Sequence, residues 1–199
     1  MTEIFAPVTD ATPIQPDDQK KLIPTWIQSR DDLNVAEEDN IASGLGWAKR
    51  RRPKPLVIAT DAFSRNLHKV MFGKVWKWAG AYREVELENI GVPRWQIASR
   101  SAELFDQFRY WIEHSTFTPD EVAVRFHHQL VFVHAFTNGN GRHSRMMADL
   151  LAESLGREPF TWGRGDLGDD TGELRRTYIA ALRKADNGDI GDLLAFARS

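Results

Sequence analysis

Apolar residues recur at intervals of three and four over most of the chain, which is the spacing of one face of an α-helix. The pattern predicts an all-α fold of about seven or eight helices, the clearest covering residues 31–50, 60–72, 99–115, 118–134, 140–155, 172–185 and 189–197. End signals support several of these bounds. Thr118 precedes a proline and has Glu121 three residues later, Asp31 precedes an apolar stripe, and Gly73 follows the second helix.

The segment 76–96 breaks this helical pattern. Residues 82–88 alternate between polar and apolar side chains, as a strand does, and residues 89–93 have the composition of a turn. A short β-hairpin before the central helices is therefore predicted.

Composition along the chain divides it into three regions. Four prolines between residues 7 and 24 predict an extended arm over residues 1–30, because closely spaced prolines prevent a continuous helix. Residues 31–55 then form an N-terminal helix, and residues 56–199 form the main domain. The basic run 49–54 suits the end of that helix, where cations complement the helix dipole; a nucleic-acid or targeting patch is the alternative.

Overall composition narrows the class of protein. Seven tryptophans and eleven phenylalanines favour a globular chain, and a net charge of −2 gives no electrostatic reason to bind nucleic acid or an anionic membrane. Because the chain has no cysteine, thiol catalysis and thiolate metal sites are excluded. No apolar run approaches the ~20 residues of a membrane-spanning helix, and the first residues lack a secretory signal pattern, so we expect a cytoplasmic protein.

One stretch combines several features that suit phosphate chemistry. It reads His134-Ala135-Phe136-Thr137-Asn138-Gly139-Asn140-Gly141-Arg142-His143-Ser144-Arg145. Gly139 and Gly141 let backbone N–H groups approach an anion, and the start of the next helix adds its own N–H groups. Arg142 and Arg145 suit bidentate phosphate binding, and His134 is placed to accept a proton. Each feature alone is common in structural loops and helices, but their combination favours a functional site.

This stretch resembles the signature of the Fic family, His-x-Phe-x-(Asp/Glu)-Gly-Asn-Gly-Arg-x-x-Arg, and departs from it at one fixed position, Asn138. The segment 75–83 is similar to the Trp-Ala-Gly-x-x-Arg segment that precedes the family's hairpin flap. The resemblance covers about residues 60–196 and implies the Fic fold. Through residues 12–13 and 22–24 the whole chain further resembles the Fic subgroup called mobile mystery protein B.

The resemblance implies transfer of a nucleotide monophosphate, usually AMP from ATP, onto a hydroxyl side chain of a protein target. In that reaction His134 is the general base that deprotonates the hydroxyl. Ile90, Gly91 and Val92 lie in the flap, which pairs with the backbone of the target.

The same resemblance implies phosphate-binding roles for the residues that follow His134. Asn140 and the loop amides around Gly139 and Gly141 hold the α-phosphate and stabilise its charge in the transition state. Arg142 binds phosphate, and Arg145 binds the terminal phosphate.

Asn138 stands where adenylylating members of the family usually have the carboxylate that binds Mg²⁺. An amide oxygen can ligate Mg²⁺ but brings no negative charge, and this cation favours carboxylates. The family implies Mg²⁺ as cofactor and ATP as substrate. Asn138 leaves two alternatives open, a Fic-type phosphotransferase and a non-catalytic scaffold that binds a nucleotide or partner.

Fic proteins are often restrained by a helix bearing Ser/Thr-x-x-x-Glu-Gly/Asn, whose Glu pairs with the second motif arginine. Glu38 is in that register here, with Asn34 four residues before it and Asn40 two after it. We therefore expect either an inhibitory contact from Glu38 to Arg145 or an ordinary solvated glutamate. The resemblance also implies an unidentified protein target and, for the subgroup, a helix-turn-helix protein encoded nearby as partner; we expect neither membrane nor direct nucleic-acid binding.

Overall fold

The computed structural model of the chain describes residues 16–88, 90–165, 167 and 172–199. Over this part of the chain the α-helices are α1 Arg30–Arg51, α2 Pro55–Ile58, α3 Asp61–Phe72, α4 Ile97–Glu113, α5 Pro119–Val133, α6 Asn140–Ser154, α7 Glu173–Asp186 and α8 Gly191–Arg198. Short 3-10 helices cover Pro16–Lys21, Arg94–Gln96 and Trp162–Arg164. The prediction of an all-α fold is confirmed; the four-residue helix α2 was not predicted.

Helices α5 and α6 form the centre of the fold. Helices α4, α7 and α8 pack on α5, α3 packs on α6, and α1 packs on α3. The largest fully buried side chains are mainly aromatic and aliphatic, and they include Phe72, Trp76, Phe108, Phe126, Leu67, Met147 and Leu151. This packing fixes the loop between α5 and α6, because helices on several sides hold both of its ends.

The helix starts follow the expected capping chemistry, with one difference. The Thr60 hydroxyl accepts from the first turn of α3, and the Thr118 hydroxyl accepts from the first turn of α5, at 3.2 and 3.3 Å. The prediction that Asp31 caps the first helix is wrong. Ser29 caps it, because its hydroxyl accepts from Asp32 N at 3.1 Å while the Asp32 carboxylate accepts from Ser29 N at 2.9 Å.

The predicted extended arm is only partly described, since residues 1–15 lie outside the described part of the chain. Pro16–Lys21 is a 3-10 helix, so the expectation of extended chain is wrong there. The next residues run antiparallel to the segment around Trp76. Ile23 N donates to Val75 O at 2.8 Å, and Lys77 N donates to Lys21 O at 2.9 Å.

The predicted β-hairpin is absent from residues 82–88 and 90–93, which with Asn89, outside the described residues, make up the segment we call the flap. The main-chain N–H groups at its two ends donate to carbonyl groups at and just after the end of α5, so the described residues of the two arms form no strand ladder with each other. Arg83 N donates to Ala135 O at 2.9 Å, and Val92 N donates to Val133 O at 3.4 Å. Because these backbone donors are used by another part of the fold, the alternating pattern does not produce a strand ladder here.

The basic run at the end of α1 serves the helix and its neighbours. Lys49 Nζ lies 3.3 Å from a carboxylate oxygen of Glu153, and the Arg51 guanidinium lies 4.2 Å from the centre of the Trp47 ring. Arg52 closes the helix in the left-handed conformation, with φ 43°. None of the described helices has the length and apolar character needed to cross a membrane.

Candidate active site

His134 lies where α5 ends, in the left-handed conformation with φ 51° and ψ 54°. Its side chain is buried, with Nδ1 3.3 Å from Val131 O. A carbonyl oxygen only accepts, so Nδ1 carries the proton and the lone pair of the neutral ring is on Nε2. Burial lowers the pKa of His134 to about 4, which keeps the ring neutral at pH 7 and able to accept a proton.

The loop from His134 to Asn140, which we call the motif loop, is closed by the side chain of Asn140. Phe136 N donates to Asn140 Oδ1 at 2.9 Å, and Asn140 Nδ2 donates to Phe136 O at 2.8 Å. Both ends of this buried amide are therefore used to hold the loop. Sequence reasoning assigned Asn140 to the phosphate, but the contacts in the structure give its side chain a structural role.

His68, on α3, contacts the motif loop through a hydrogen bond and through ring stacking. Gly80 N donates to His68 Nδ1 at 3.0 Å, so the ring proton is on Nε2. Nε2 donates to Asn138 O at 3.0 Å. The ring stacks on Phe136, with 3.8 Å between centroids. Burial lowers the pKa of His68 well below its ordinary value, so it holds the loop as a neutral ring. Sequence reasoning missed His68, whose signal was a histidine on the inward face of α3.

Position 139 requires a glycine for two reasons. Its φ is 76°, and an added Cβ would lie 2.5 Å from the Phe72 ring. Gly139 is also the residue immediately before α6, and the start of this helix has no side-chain cap among the described residues. The first N–H groups of α6, beginning at Asn140 and Gly141, are therefore available as donors toward the motif loop, which suits a phosphate group.

The two motif arginines have different surroundings. Arg142 Nη2 lies 2.7 Å from Glu37 Oε2, and the other oxygen of Glu37 accepts from Trp76 Nε1 at 2.6 Å. The Arg145 guanidinium lies 5.8 Å from the centre of the Tyr178 ring. The residue on α1 that contacts the motif is thus Glu37, and its partner is the first arginine of the motif.

Of the two alternatives expected for Glu38, its exposed position agrees with the solvated glutamate and not with an inhibitory contact to Arg145. Glu38 is exposed, whereas Glu37 has only 4% of its surface exposed. Asn40, three residues after Glu37, explains which face of α1 turns inward. Its Nδ2 donates to Val70 O at 2.8 Å and its Oδ1 accepts from Lys74 N at 2.9 Å, so these two bonds fix the rotation of α1 on α3.

The flap lies directly against His134, as the predicted flap residues require. Gly91 has φ 76°, and an added Cβ would lie 2.6 Å from the Cβ of His134. Val92 is buried and Ile90 is half-buried beside it. The structure thus brings the flap and His134 together.

Asn138 is half-buried, and its Oδ1 accepts from Gly139 N at 2.6 Å. An amide oxygen has a second lone pair, so this atom can still serve as one neutral metal ligand. No group of three or more His, Cys, Asp or Glu residues in the described part of the chain is placed to hold a metal. Asn138 as a ligand of Mg²⁺ stays a prediction, and one neutral ligand would suit an ion held mainly by phosphate oxygens and water.

Comparison with known proteins identifies this arrangement. Residues 60–152, which include the whole motif loop and the flap, match the model of the Fic/DOC family. The match assigns this region of the chain, residues 60–152, to the Fic/DOC family. The predicted family is confirmed; the finer subgroup resemblance stays a prediction.

Similar curated proteins are called "Protein adenylyltransferase Fic". The Drosophila melanogaster protein is 33% identical over 98 residues, which are 48% of this chain and 18% of that protein. The Drosophila virilis protein is 32% identical over 98 residues, which are 48% of this chain and 19% of that protein. The matched part thus spans about a fifth of the length of these curated relatives.

Solved structures show the same fold. Fic-1 from C. elegans aligns with a TM-score of 0.64 and 23% identity, covering 91% of this chain and 51% of that one. BepC from Bartonella tribocorum, with bound AMPPNP, aligns with a TM-score of 0.65 and 16% identity, covering 92% and 97%. A Bartonella quintana Fic domain with bound ADP gives 0.65 and 18%, covering 87% and 86%. The Fic fold expected from the motif is confirmed.

Proposed function

We propose that this chain is a Fic-type protein adenylyltransferase, which transfers AMP from ATP to a hydroxyl side chain of a protein target. The observation that carries the proposal is the neutral, Nδ1-protonated His134 placed beside the uncapped start of α6. A proton acceptor and a group of N–H donors at the two ends of one loop support this proposal. The name of the Drosophila relatives supports adenylyl transfer as the reaction.

The residues of the motif loop supply two parts of the reaction. Nε2 of His134 takes the proton of the target hydroxyl, whose oxygen then forms a bond to the α-phosphorus of ATP. The bond from that phosphorus to the bridging oxygen of the β-phosphate breaks, and pyrophosphate leaves with the bonding electrons. The N–H groups at the start of α6 stabilise the charge on the α-phosphate oxygens, while Arg142 and Arg145 bind phosphate oxygens.

Mg²⁺ belongs to the proposal as an ion that comes with the nucleotide. Asn138 Oδ1 would hold it, and its charge would neutralise part of the triphosphate. Asn138→Asp adds a negative ligand, so nucleotide binding by this variant should need less Mg²⁺ than binding by the parent. If Mg²⁺ titrations of nucleotide binding coincide, Asn138 is not a ligand.

We also propose that Glu37 restrains the enzyme. Glu37 is buried, and its Oε2 binds the guanidinium of Arg142. A phosphate oxygen of the nucleotide would have to replace Oε2 in order to bind Arg142. Glu37→Gly should therefore raise automodification by about tenfold, the factor given by one charge-assisted hydrogen bond. Glu37→Gln should raise it less, because the amide still fills the space.

Glu38 supplies the matched control, since it is the adjacent glutamate on the exposed face of α1. Glu38→Gly should leave automodification unchanged relative to the parent. An equal rise in both variants would mean that a weaker α1 helix, rather than the released Arg142, causes the effect. No rise in a folded Glu37→Gly protein would contradict the restraint.

Mass spectrometry of the purified protein after incubation with ATP and Mg²⁺ tests the proposed reaction. A gain of AMP-sized mass supports adenylyl transfer. A phosphate-sized gain would favour a phosphotransferase, and nucleotide binding without any mass gain in the parent and Glu37→Gly would favour a binding scaffold. The proposal also includes an unidentified protein target, a cytoplasmic location where ATP is supplied, and a helix-turn-helix partner suggested by the subgroup resemblance.

A further inference from the structure

Arg83 is the buried cation at the base of the flap, with 3% of its surface exposed. Its Nε donates to His134 O at 2.8 Å and its Nη1 donates to Val85 O at 3.0 Å. Its Nη2 donates to Val92 O. A single guanidinium therefore joins both arms of the flap to the residue that carries the base.

Main-chain hydrogen bonds also connect the flap to the residues next to His134. Arg83 N donates to Ala135 O at 2.9 Å, immediately after His134, and Val92 N donates to Val133 O at 3.4 Å, immediately before it. The flap thus contacts the chain on both sides of His134. The guanidinium lies between these two bonds and uses three of its five N–H donors on carbonyl oxygens.

The conformation of His134 makes this contact important for the position of its ring. A non-glycine residue in the left-handed region is uncommon and persists where its surroundings hold it. The His134 carbonyl that Arg83 binds belongs to this left-handed residue. Gly91, in the flap, packs against the Cβ of His134, to which the imidazole ring is attached. Displacement of the flap would therefore also remove this contact.

We propose that Arg83 is a positioning residue for transfer: it locks the flap to His134, so that a hydroxyl held by the flap is presented to Nε2. This inference rests on the proposed function. Arg83 binds main-chain carbonyls of the flap and of His134, and it acts through them rather than through the phosphates. Its effect should therefore fall on transfer and not on nucleotide binding.

The shape of the arginine side chain explains why lysine is not expected to replace it. The planar guanidinium presents donors in three directions fixed relative to one another, which matches carbonyls from residues 85, 92 and 134. A lysine ammonium keeps the charge but is a single point at the end of a flexible chain. Arg83→Lys therefore removes the fixed set of three donor directions while keeping the positive charge.

Arg65 provides a matched control on a neighbouring element. Its Nε donates to Gly80 O at 2.9 Å, so it also binds a main-chain carbonyl next to the flap, but its recorded bonds do not include His134. Its side chain is 46% exposed. Arg65→Lys should leave transfer within about twofold of the parent, since exposed contacts of this kind contribute little.

The first experiment measures automodification with labelled ATP, together with ATP binding, in the parent and the two lysine variants. Arg83→Lys should lower the transfer rate by roughly tenfold for each carbonyl bond that is lost, while ATP affinity stays within about twofold. Rescue by Arg83→Lys to the parental rate would overturn the proposal. Equal losses in transfer and ATP affinity would also overturn it, since they indicate a general disturbance of the site.

The second experiment measures amide hydrogen exchange and does not depend on activity. In Arg83→Lys the amides of residues 83 and 92 should exchange at least about tenfold faster, while those in the middle of α6 keep their protection. Unchanged exchange at both flap positions, or equal acceleration throughout the chain, would overturn the proposal. If the parent transfers no AMP at all, the proposed function fails, but faster exchange confined to the flap still supports the lock.

Discussion

The motif loop and the flap are both irregular segments beside His134, but they are held in different ways. The motif loop is closed by its own residues, through the paired bonds between Asn140 and Phe136, and His68 supports it from α3. The flap is held by residues outside it, through the Arg83 bond to His134 O, two main-chain bonds to Val133 and Ala135, and the Tyr82 bond to Asp61.

This difference separates two tasks within one site. A loop that is closed by buried bonds keeps the phosphate-binding groups in place before any ligand arrives, which reduces the cost of organising them during the reaction. A flap whose bonds to the rest of the fold lie near its two ends can present the residues between them to the backbone of a target. We expect changes in the motif loop to alter chemistry and stability, and changes in the flap to alter mainly the modification of the target.

The largest effect is expected from His134→Ala. Removing the base should lower transfer by roughly 10²-fold or more, while ATP binding is retained because the phosphate-binding groups remain. His114 is the control, since it is an exposed histidine whose Nδ1 lies 2.9 Å from Tyr110 O in its own helix. Transfer assays should show His114→Ala at the parental rate, and an equally active His134→Ala would remove His134 from the mechanism.

Asn140→Ala tests whether the motif loop is held by its own bonds. It leaves the buried N–H and C=O of Phe136 without their partner, so the free energy of unfolding should fall by about 2–3 kcal/mol. Asn187→Ala is the matched change at an exposed site, where the amide donates to Arg183 O at 2.9 Å, and it should cost under about 1 kcal/mol. Urea unfolding measures both, and similar losses would contradict a special role for the Asn140 bonds.

Two buried histidines, His134 in the motif loop and His143 in α6, make the stability of this region depend on pH. Burial lowers the pKa of His134 and of His143 to about 4, below the ordinary value of 6.5 that each regains when the chain unfolds. The unfolded chain therefore binds more protons between these values. The stability that each neutral histidine retains above pH 6.5 is lost as the pH falls towards 4.

Urea unfolding at pH 7 and pH 5 tests this expectation. The free energy of unfolding should fall by roughly 2 kcal/mol for each of these two histidines by pH 5. The decrease should be smaller in His134→Ala, which lacks one of the two groups. The same decrease in parent and variant would mean that His134 is not held neutral.

The smallest effect is expected from Ile90→Ala in the flap. The hydrogen bonds of the flap come from its main chain and from the side chains of Arg83, Tyr82 and Glu86, so removing the half-buried apolar side chain of Ile90 should change transfer by less than about threefold. Gly91→Ala is the contrasting variant, because its Cβ would meet His134 at 2.6 Å. Automodification assays compare the two, and a larger loss in Ile90→Ala would mean that side-chain contacts hold the flap.

The sequence predicts where the residues of the motif loop lie because they are close together in the chain. Gly139, Asn140 and Arg142 follow one another at the start of a helix, so local rules place them together without knowledge of distant contacts. Thr60 and Thr118 mark helix starts for the same reason. His68 was missed because its role depends on residues that are far away in the sequence.

The inward face of α1 was harder to predict because it carries polar residues. Apolar spacing favoured a stripe with Glu38 at its border, but the buried positions include Glu37, Asn40 and Gly44. These polar groups are buried because each meets a partner on another element, Arg142 and Trp76 for Glu37, and main-chain groups for Asn40. Hydrophobic periodicity cannot indicate such partners.

The hairpin prediction failed for a similar reason. Residues 82–88 alternate like a strand, but the bonds of the flap go to Ala135 and Val133 and to the Arg83 side chain. Alternation describes which side chains face outward. It does not identify the backbone to which a segment will bond.

The central claim is that the protein transfers the AMP part of ATP with His134 as the general base, and labelling at two positions of ATP tests it most directly. The Glu37→Gly protein, freed from the contact to Arg142, is incubated with ATP labelled at the α- or the γ-phosphorus, beside a variant that also carries His134→Ala. We predict protein-bound label from the α-position only, and roughly 10²-fold less of it or lower still in the double variant. Label from the γ-position, or equal α-label in both proteins, would contradict the account.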